Sequence, residues 1–185
     1  MTERKCDFMN EILNCEPDFT ESKFKTYVDN MFIQIHLAVM TKELEKIKHF
    51  VSGDVYHKLE EKIASLEERK VVQMYDEINV KQTTILSGIV QDEKMVIKVN
   101  ITSRYMDYLM DEDGNVVSGI SDHRIEKENY LTIEKKIHHL TSGQARKCPG
   151  CGANIDVNAN GKCAYCGTTY NLEDKDWVLT SLETV

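Results

Sequence analysis

Apolar residues recur at spacings of three and four between residues 18 and 69, a pattern that predicts amphipathic helices. The first helix should begin near Asp18 or Thr20, because both side chains can cap a helix N-terminus. A short second helix is expected from Thr41 to Phe50, and a third from Asp54 to about Arg69. The apolar stripe of the first helix contains Phe24, Tyr27, Val28, Met31, Phe32, Ile35 and Val39.

The segment before this pattern, residues 1–17, shows no clear periodicity and ends at Pro17. A segment without a repeating apolar face offers little surface to bury against a core, and burial is what offsets the entropy of ordering a chain. Residues 1–17 are therefore predicted to be a flexible lead.

After residue 70 the apolar positions alternate with polar ones, the period of a β-strand with one buried face. Strands are predicted from Val71 to Val90 and from Met95 to Met110. A turn with the hairpin-forming pair Asp113-Gly114 follows, then a return strand that begins at Val116-Val117, and residues 126–139 supply a last strand. Helices followed by antiparallel strands predict an α+β fold, in which N-terminal helices pack on a curved antiparallel sheet.

Four cysteines near the C-terminus form two CxxC pairs, Cys148 with Cys151 and Cys163 with Cys166. Two residues between paired cysteines let both sulfurs face one ion, and the glycine after each pair leaves backbone amides free to stabilise the thiolates. Four thiolates close a tetrahedral site and leave no position for a substrate. We therefore predict a structural Zn²⁺ site in a small zinc ribbon, while an iron site with the same ligands stays open.

These patterns divide the chain into three parts. Residues 1–17 are the flexible lead, residues 18–142 are the α+β domain, and residues 143–185 are the zinc ribbon with a C-terminal tail. Trp177 lies in that tail, where its indole can either close the small core of the ribbon or dock the ribbon on the first domain. We favour the ribbon core.

The net charge and the cysteine motifs limit the classes of partner and the cellular compartment that we expect for this protein. The net charge of the chain is −8, so no overall positive field attracts it to nucleic acid, and basic residues are few around the ribbon. The N-terminus has no signal-peptide pattern, and no apolar run is long enough to span a bilayer. Because paired CxxC motifs hold metals in reducing compartments, the expected location is the cytoplasm.

Candidate binding residues outside the cysteines fall in two places. On the helical stripe, Phe24, Tyr27, Met31 and Phe32 can line a ligand cavity or belong to the plain core. On the second strand, Asp107 lies in the aromatic run Tyr105-Met106-Asp107-Tyr108, and strand alternation can turn its carboxylate inward. An inward carboxylate could act as a general base together with His36 or His123. A solvent-facing carboxylate, which would have no such role, is the commoner arrangement near a strand end, and we favour it.

Several motifs resemble the bacterial Tim44-like domain of the nuclear transport factor two-like superfamily. They are the helix-leading sequence DFTESKF at 18–24, YMDY at 105–108 and the turn DGNVVSG at 113–119. The cysteine segment, with DWVL at 176–179 after it, is similar to the zinc ribbon that ends many of these proteins. The resemblance implies a cone, in which a strongly bent sheet wraps around the helices and leaves an apolar cavity. It also implies that cones pair as homodimers through the outer face of the sheet.

Together these features favour a non-enzymatic binding or scaffold protein, whose apolar cone cavity or sheet face holds a protein or lipid-like ligand. The mitochondrial relative of this family tethers a protein-import motor, but that role is not transferred, because this chain is acidic and has no predicted membrane span. Two alternatives stay open. One is a small-molecule enzyme of the cone type that uses Asp107 with a nearby histidine, and the other is a membrane-peripheral adaptor.

Overall fold

A computed structural model describes residues 2–137, 153, 165 and 177–184, with side chains from residue 8 onward. In these ranges the strands form one open antiparallel sheet in the order β1-β2-β3-β4. The predicted α+β class is therefore confirmed. The elements are α1 (Thr2–Cys15), α2 (Glu21–Thr41), α3 (Gly53–Glu68), β1 (Val71–Gln91), β2 (Lys94–Asp111), β3 (Val116–Lys136) and β4 (Val178–Thr184).

Helix α1 occupies most of the segment that was predicted to be a flexible lead, so that prediction was wrong for residues 2–15. Phe8 and Ile12 are buried in the core of the domain, with exposed fractions of 7% and 0%. The ring of Phe8 lies against Gly88 of β1, where any Cβ atom would overlap it. The helix was missed because it buries only a narrow stripe, too short to produce a recognisable period.

The N-cap of helix α2 is Thr20 rather than Asp18, since the Thr20 hydroxyl accepts a hydrogen bond of 3.3 Å from the backbone N–H of Lys23. It ends where Lys42 adopts a left-handed conformation with φ of 58°. The short helix expected from Thr41 to Phe50 is only a 3-10 helix at Leu44–Ile47. The segment lies between the left-handed Lys42 and the bridge of Val51 to Leu179, and its N-cap residue, Glu43, makes no capping hydrogen bond through its side chain.

Strand β3 is one element of 21 residues where the sequence predicted two. Its pairing with β2 has two irregularities. The register shifts by one residue near the turn, between Leu109 and Met110, and a larger bulge follows, in which Tyr105 pairs with Ile125 but Asp107 pairs with Ile120. The four polar residues between Ile120 and Ile125 have no partners in β2, and their composition resembles a loop. Bulges of this kind bend a strand and increase its local twist.

Strand β4 comes from the C-terminal segment and completes the same sheet, pairing with β3 from Asn129 to Glu134. On its other side the backbone N–H of Leu179 donates to the carbonyl of Phe50 at 2.8 Å. The indole of Trp177 packs edge-to-face on Phe24 with ring centres 4.9 Å apart. The indole therefore belongs to the core of the sheet domain, and the favoured interpretation, a tryptophan in the core of the ribbon, was wrong.

The hydrophobic core lies between the helices and the inner face of the sheet. Strand β2 contributes one buried side chain in every two, and α2 contributes its apolar stripe. No helix in the described ranges is both long and apolar enough to cross a bilayer. The fully buried residues of β2 are Met95, Ile97, Val99, Ile101, Ser103 and Tyr105.

Candidate functional site

The inner face of the sheet changes from apolar to polar toward one end. Along β2 the alternation that buries Ile101 and Tyr105 continues to Asp107, so the Asp107 side chain lies on the inner face. On the neighbouring strands Gln73 of β1 and Lys127 of β3 lie close to it. The sheet thus brings charged and polar groups under α3, which covers this end.

An open cavity of about 450 Å³ lies between α3 and this polar end of the sheet. We call it the α3 cavity. Its lining combines apolar side chains with one carboxylate and three basic groups. The lining residues are Lys62, Ser65, Leu66, Arg69, Gln73, Asp107, Tyr108, Leu109, Ser118, Gly119, Ile120, Ile125 and Lys127.

Both carboxylate oxygens of Asp107 accept hydrogen bonds. The side-chain amide of Gln73 donates to Oδ1 at 2.7 Å, and Nζ of Lys127 donates to Oδ2 at 2.5 Å. The Asp107 and Lys127 side chains are only 23% and 24% exposed. A charge-assisted hydrogen bond with this degree of shielding is stronger than an ion pair on the open surface, so the position of Asp107 is well fixed.

Lys62 extends from α3 toward the same end of the sheet. Although the residue as a whole is exposed, its Nζ atom reaches the hydroxyl of Tyr75, to which it donates at 2.8 Å. Desolvation of the ammonium group lowers the pKa of Lys62, the negative charge of Asp107 raises it, and the positive charge of Lys127 lowers it further. Lys62 and Lys127 therefore repel each other across a single carboxylate.

Two buried tyrosines form the floor beneath these ammonium groups. Tyr75 and Tyr105 pack edge-to-face with ring centres 5.6 Å apart. The Nζ atoms of Lys62 and Lys127 lie 5.5 Å from the ring centres of Tyr75 and Tyr105, respectively, within the range of a cation–π interaction. Burial, and then the negative charge of Asp107, raise the pKa of both phenols, which therefore stay protonated at neutral pH.

His36 of α2 lies behind the tyrosines, with its ring centre 4.6 Å from that of Tyr75 and 5.4 Å from that of Tyr105. Its Nδ1 atom is 2.8 Å from the carbonyl oxygen of Phe32, a contact that requires the imidazole to donate. Burial lowers the pKa of His36 to about 4, an effect that the hydrogen bond to Phe32 only partly offsets. The ring is therefore neutral at pH 7.

We expect the protein to lose stability as the pH falls from 6.5 toward 4, because of His36. Between these values the unfolded state binds a proton at the ordinary histidine pKa, whereas the folded state does not. The loss attributable to His36 at pH 4.5 is about 2–3 kcal/mol, relative to pH 7. The measurement is urea unfolding of wild type and of His36→Gln at pH 7 and pH 4.5. The part of the pH dependence that is present in wild type and absent from the variant is the contribution of His36.

The matched control for this measurement is His123→Gln. His123 is 64% exposed on the surface, so its replacement removes an imidazole that lacks the burial of His36, and it should remove much less of the pH dependence. Equal losses of stability in wild type and His36→Gln between pH 7 and 4.5 would contradict the assignment.

The candidate residues from the sequence fall in two different environments. Phe24, Met31 and Phe32 are buried in the core, and Tyr27 is partly buried, with its hydroxyl donating to the carbonyl of Trp177 at 2.7 Å. Asp107, in contrast, lines the α3 cavity. The burial of the first group fits the core interpretation, which the sequence left open. Their role as cavity lining stays a prediction.

Three residues of the site were missed in the sequence, namely Lys62, Gln73 and Lys127. A signal existed for Gln73 and Lys127. Each lies two positions away from buried or half-buried residues of its own strand, and therefore on the same face of the sheet as those residues. Lys62 gave no signal, since a lysine on the polar face of a helix is normally solvated.

The four cysteines of the predicted zinc site, Cys148, Cys151, Cys163 and Cys166, lie outside the described residues. In the part of the chain that the structure does describe, no three side chains of His, Cys, Asp or Glu converge as metal ligands. The zinc site therefore stays a prediction from the spacing of the cysteines.

Comparison with known proteins gives one family match. The model of the Tim44-like domain matches residues 7–144, which is more than half of the chain and runs from α1 past the end of β3. No curated protein matches the chain. The family match includes both the helical layer and the polar end of the sheet. The chain therefore belongs to the Tim44-like domain family.

Proposed function

We propose that the protein is a non-enzymatic binding or scaffold protein and that the α3 cavity is where its ligand docks. Tim44-like domains are generally non-enzymatic and are associated with protein or lipid interactions. The observation that supports the cavity as the docking place is its lining, in which apolar walls meet three basic groups and a single carboxylate. A ligand site in a protein typically combines such walls with a few polar groups that fix orientation.

The contacts of Asp107 favour binding over acid–base catalysis. A general base needs an accessible oxygen within reach of the substrate proton, but both oxygens of Asp107 already accept hydrogen bonds, from Gln73 and Lys127. The Nδ1 atom of His36 is committed to a backbone carbonyl, and His123 pairs with Asp122 at the surface. The enzyme alternative therefore receives no support from these contacts.

Site-specific photocrosslinking in cells that produce the protein tests the docking site. A benzoylphenylalanine at Ser118, an exposed residue of the cavity lining, should form covalent adducts with the ligand. The same group at Lys98, an exposed position on the outer face of β2, is the control. We expect a discrete adduct from position 118 that is absent or at least severalfold weaker from position 98.

The mass of the adduct separates a protein ligand from a lipid-like one. If position 118 gives no adduct, or the same adducts as position 98, the α3 cavity is not the docking site. Retained folding of both labelled proteins, checked by circular dichroism, keeps the comparison valid.

We further propose that Cys148, Cys151, Cys163 and Cys166 bind one Zn²⁺ ion and that the protein resides in the cytoplasm, where such thiols stay reduced. The support is the pair of CxxC motifs, each with a following glycine. Protein purified under reducing conditions should contain one zinc per chain by elemental mass spectrometry. Replacement of Cys163 by Ser should lower the zinc content well below one.

Cys15→Ser is the matched control for the metal measurement, since Cys15 is an exposed free thiol in α1. Its zinc content should equal that of wild type. Iron in place of zinc would correct the identity of the metal, and no metal in reduced protein would contradict the site.

A further inference from the structure

An edge of β3 runs beside the α3 cavity without a strand partner in the described part of the chain. Strand β4 pairs with β3 only from Asn129 to Glu134. The preceding residues, Ile125 to Glu128, pair with β2 on one side and have no described strand on the other. Two of them, Ile125 and Lys127, line the cavity. A free strand edge presents backbone N–H and C=O groups that an added strand can pair with.

The charges around this edge are unbalanced. Lys62, Arg69 and Lys127 line the cavity together with a single carboxylate, that of Asp107. Among the described residues, Lys127 forms an ion pair with Asp107, whereas Lys62 has a neutral phenol as its hydrogen-bond partner. An additional carboxylate placed near Lys62 would relieve the repulsion between the two ammonium groups and restore favourable interactions to a partly desolvated cation.

The two acidic residues of the free edge, Glu126 and Glu128, do not oppose such a ligand. Glu126 pairs with Lys81 at 2.6 Å, and Glu128 accepts hydrogen bonds from Asn100 and Thr102. These two carboxylates lie at alternate positions to Lys127 and therefore on the other face of the sheet. The face that carries Lys127 keeps its positive charge.

We propose that the α3 cavity binds an extended acidic segment of a partner protein, which adds as a strand to the β3 edge at Ile125–Glu128. One carboxylate of the segment lies between Lys62 and Lys127, and a neighbouring apolar side chain packs against Leu109 and Ile125. The free strand edge favours a peptide over an acyl chain, since only a peptide can satisfy backbone hydrogen-bonding groups. This inference rests on the proposed function, and it names the class of the ligand.

Titration of ¹⁵N-labelled full-length protein with a defined peptide tests the proposal. The probe is acetyl-Thr-Glu-Thr-Leu-Thr-Glu-Thr-amide, in which glutamate and leucine share one face of an extended chain. Two matched peptides replace both glutamates by glutamine or by lysine, and phosphatidylglycerol vesicles form a fourth arm. We expect the acidic peptide to shift the backbone amides of Ile125–Glu128 and to bind more tightly than the glutamine peptide, while the lysine peptide does not bind.

Protein variants identify the basic groups. Lys62→Gln should weaken binding of the acidic peptide about three- to tenfold, a range that reflects a partly shielded charge contact. Lys62→Arg, which retains the charge, should lose much less, and Lys98→Gln on the outer face should lose nothing. Thermal melting of each variant excludes a loss of fold as the cause.

Several results would overturn the inference. They are equal binding of the acidic and glutamine peptides, amide shifts located away from Ile125–Glu128, or binding of the vesicles alone with dependence on Lys62. The last result would leave the α3 cavity as a docking site with a different ligand. Failure of the proposed function itself is a separate outcome, because the photocrosslinking experiment does not depend on any chosen peptide.

Discussion

Replacing Trp177 by alanine is expected to lower the free energy of unfolding by about 3–5 kcal/mol, the range for a large buried aromatic side chain. The indole is 7% exposed and belongs to the main core. It packs on Phe24 and Phe19, with ring centres 4.9 and 5.9 Å away. Its removal would leave a cavity between α2 and the sheet that the surrounding side chains can fill only in part. Urea unfolding monitored by circular dichroism measures the loss.

Tyr165→Ala is the matched control, an aromatic side chain inside the second CxxC motif that is 79% exposed. Its replacement should change the free energy of unfolding by no more than about 0.5 kcal/mol. A Trp177→Ala protein with unchanged unfolding of the sheet domain but reduced zinc content would show that the indole belongs to the ribbon, contrary to the structure.

The elements that the sequence predicted well are those whose pattern is local. The stripe of α2 and the alternation of β2 each repeat over several periods, so the sequence alone defines them. The turn at Asp113-Gly114 was also predicted, and Gly114 adopts the positive φ of 84° that favours glycine there. In these cases local geometry and tertiary packing favour the same structure.

The elements that the sequence did not predict depend on distant partners. Strand β4 pairs Thr184 with Asn129, more than fifty residues earlier in the chain. The Thr184 hydroxyl also donates a hydrogen bond of 2.9 Å to the side-chain oxygen of Asn129. No local pattern relates these two positions. The tail near Trp177 was therefore assigned to the ribbon, its neighbour in sequence, although its neighbours in space are α2 and β3.

The candidate site was predictable only in part, for the same reason. Alternation along β2 is local and allows the inward position that Asp107 occupies, but the favoured expectation of a solvent-facing side chain was wrong. Lys127 stands between Glu126 and Glu128, a context that is typical of a solvated strand face. Its approach to Lys62 depends on how α3 packs over the sheet. The alternation of β3 is consistent with an inward Lys127, but no pattern in either element indicates that Lys62 and Lys127 meet.

The second large effect is expected at the N-terminus, where Ile12→Ala should lower the free energy of unfolding by about 2–4 kcal/mol. Ile12 is fully buried, with an exposed fraction of 0%. A helix of the length of α1 is marginal in isolation, so its stability must come from contacts such as that between Phe8 and Gly88. The family match also begins within this helix, at residue 7. Urea unfolding of wild type and variant measures the difference.

Leu13→Ala provides the control for this prediction, because Leu13 is the next residue of the same helix and is 38% exposed. The two substitutions have similar effects on helix propensity but remove different amounts of buried surface. The Leu13 variant should therefore lose less than about 1 kcal/mol. A flexible lead would give small and equal losses for both variants, whereas a docked helix requires a loss at Ile12 that is clearly larger than the loss at Leu13.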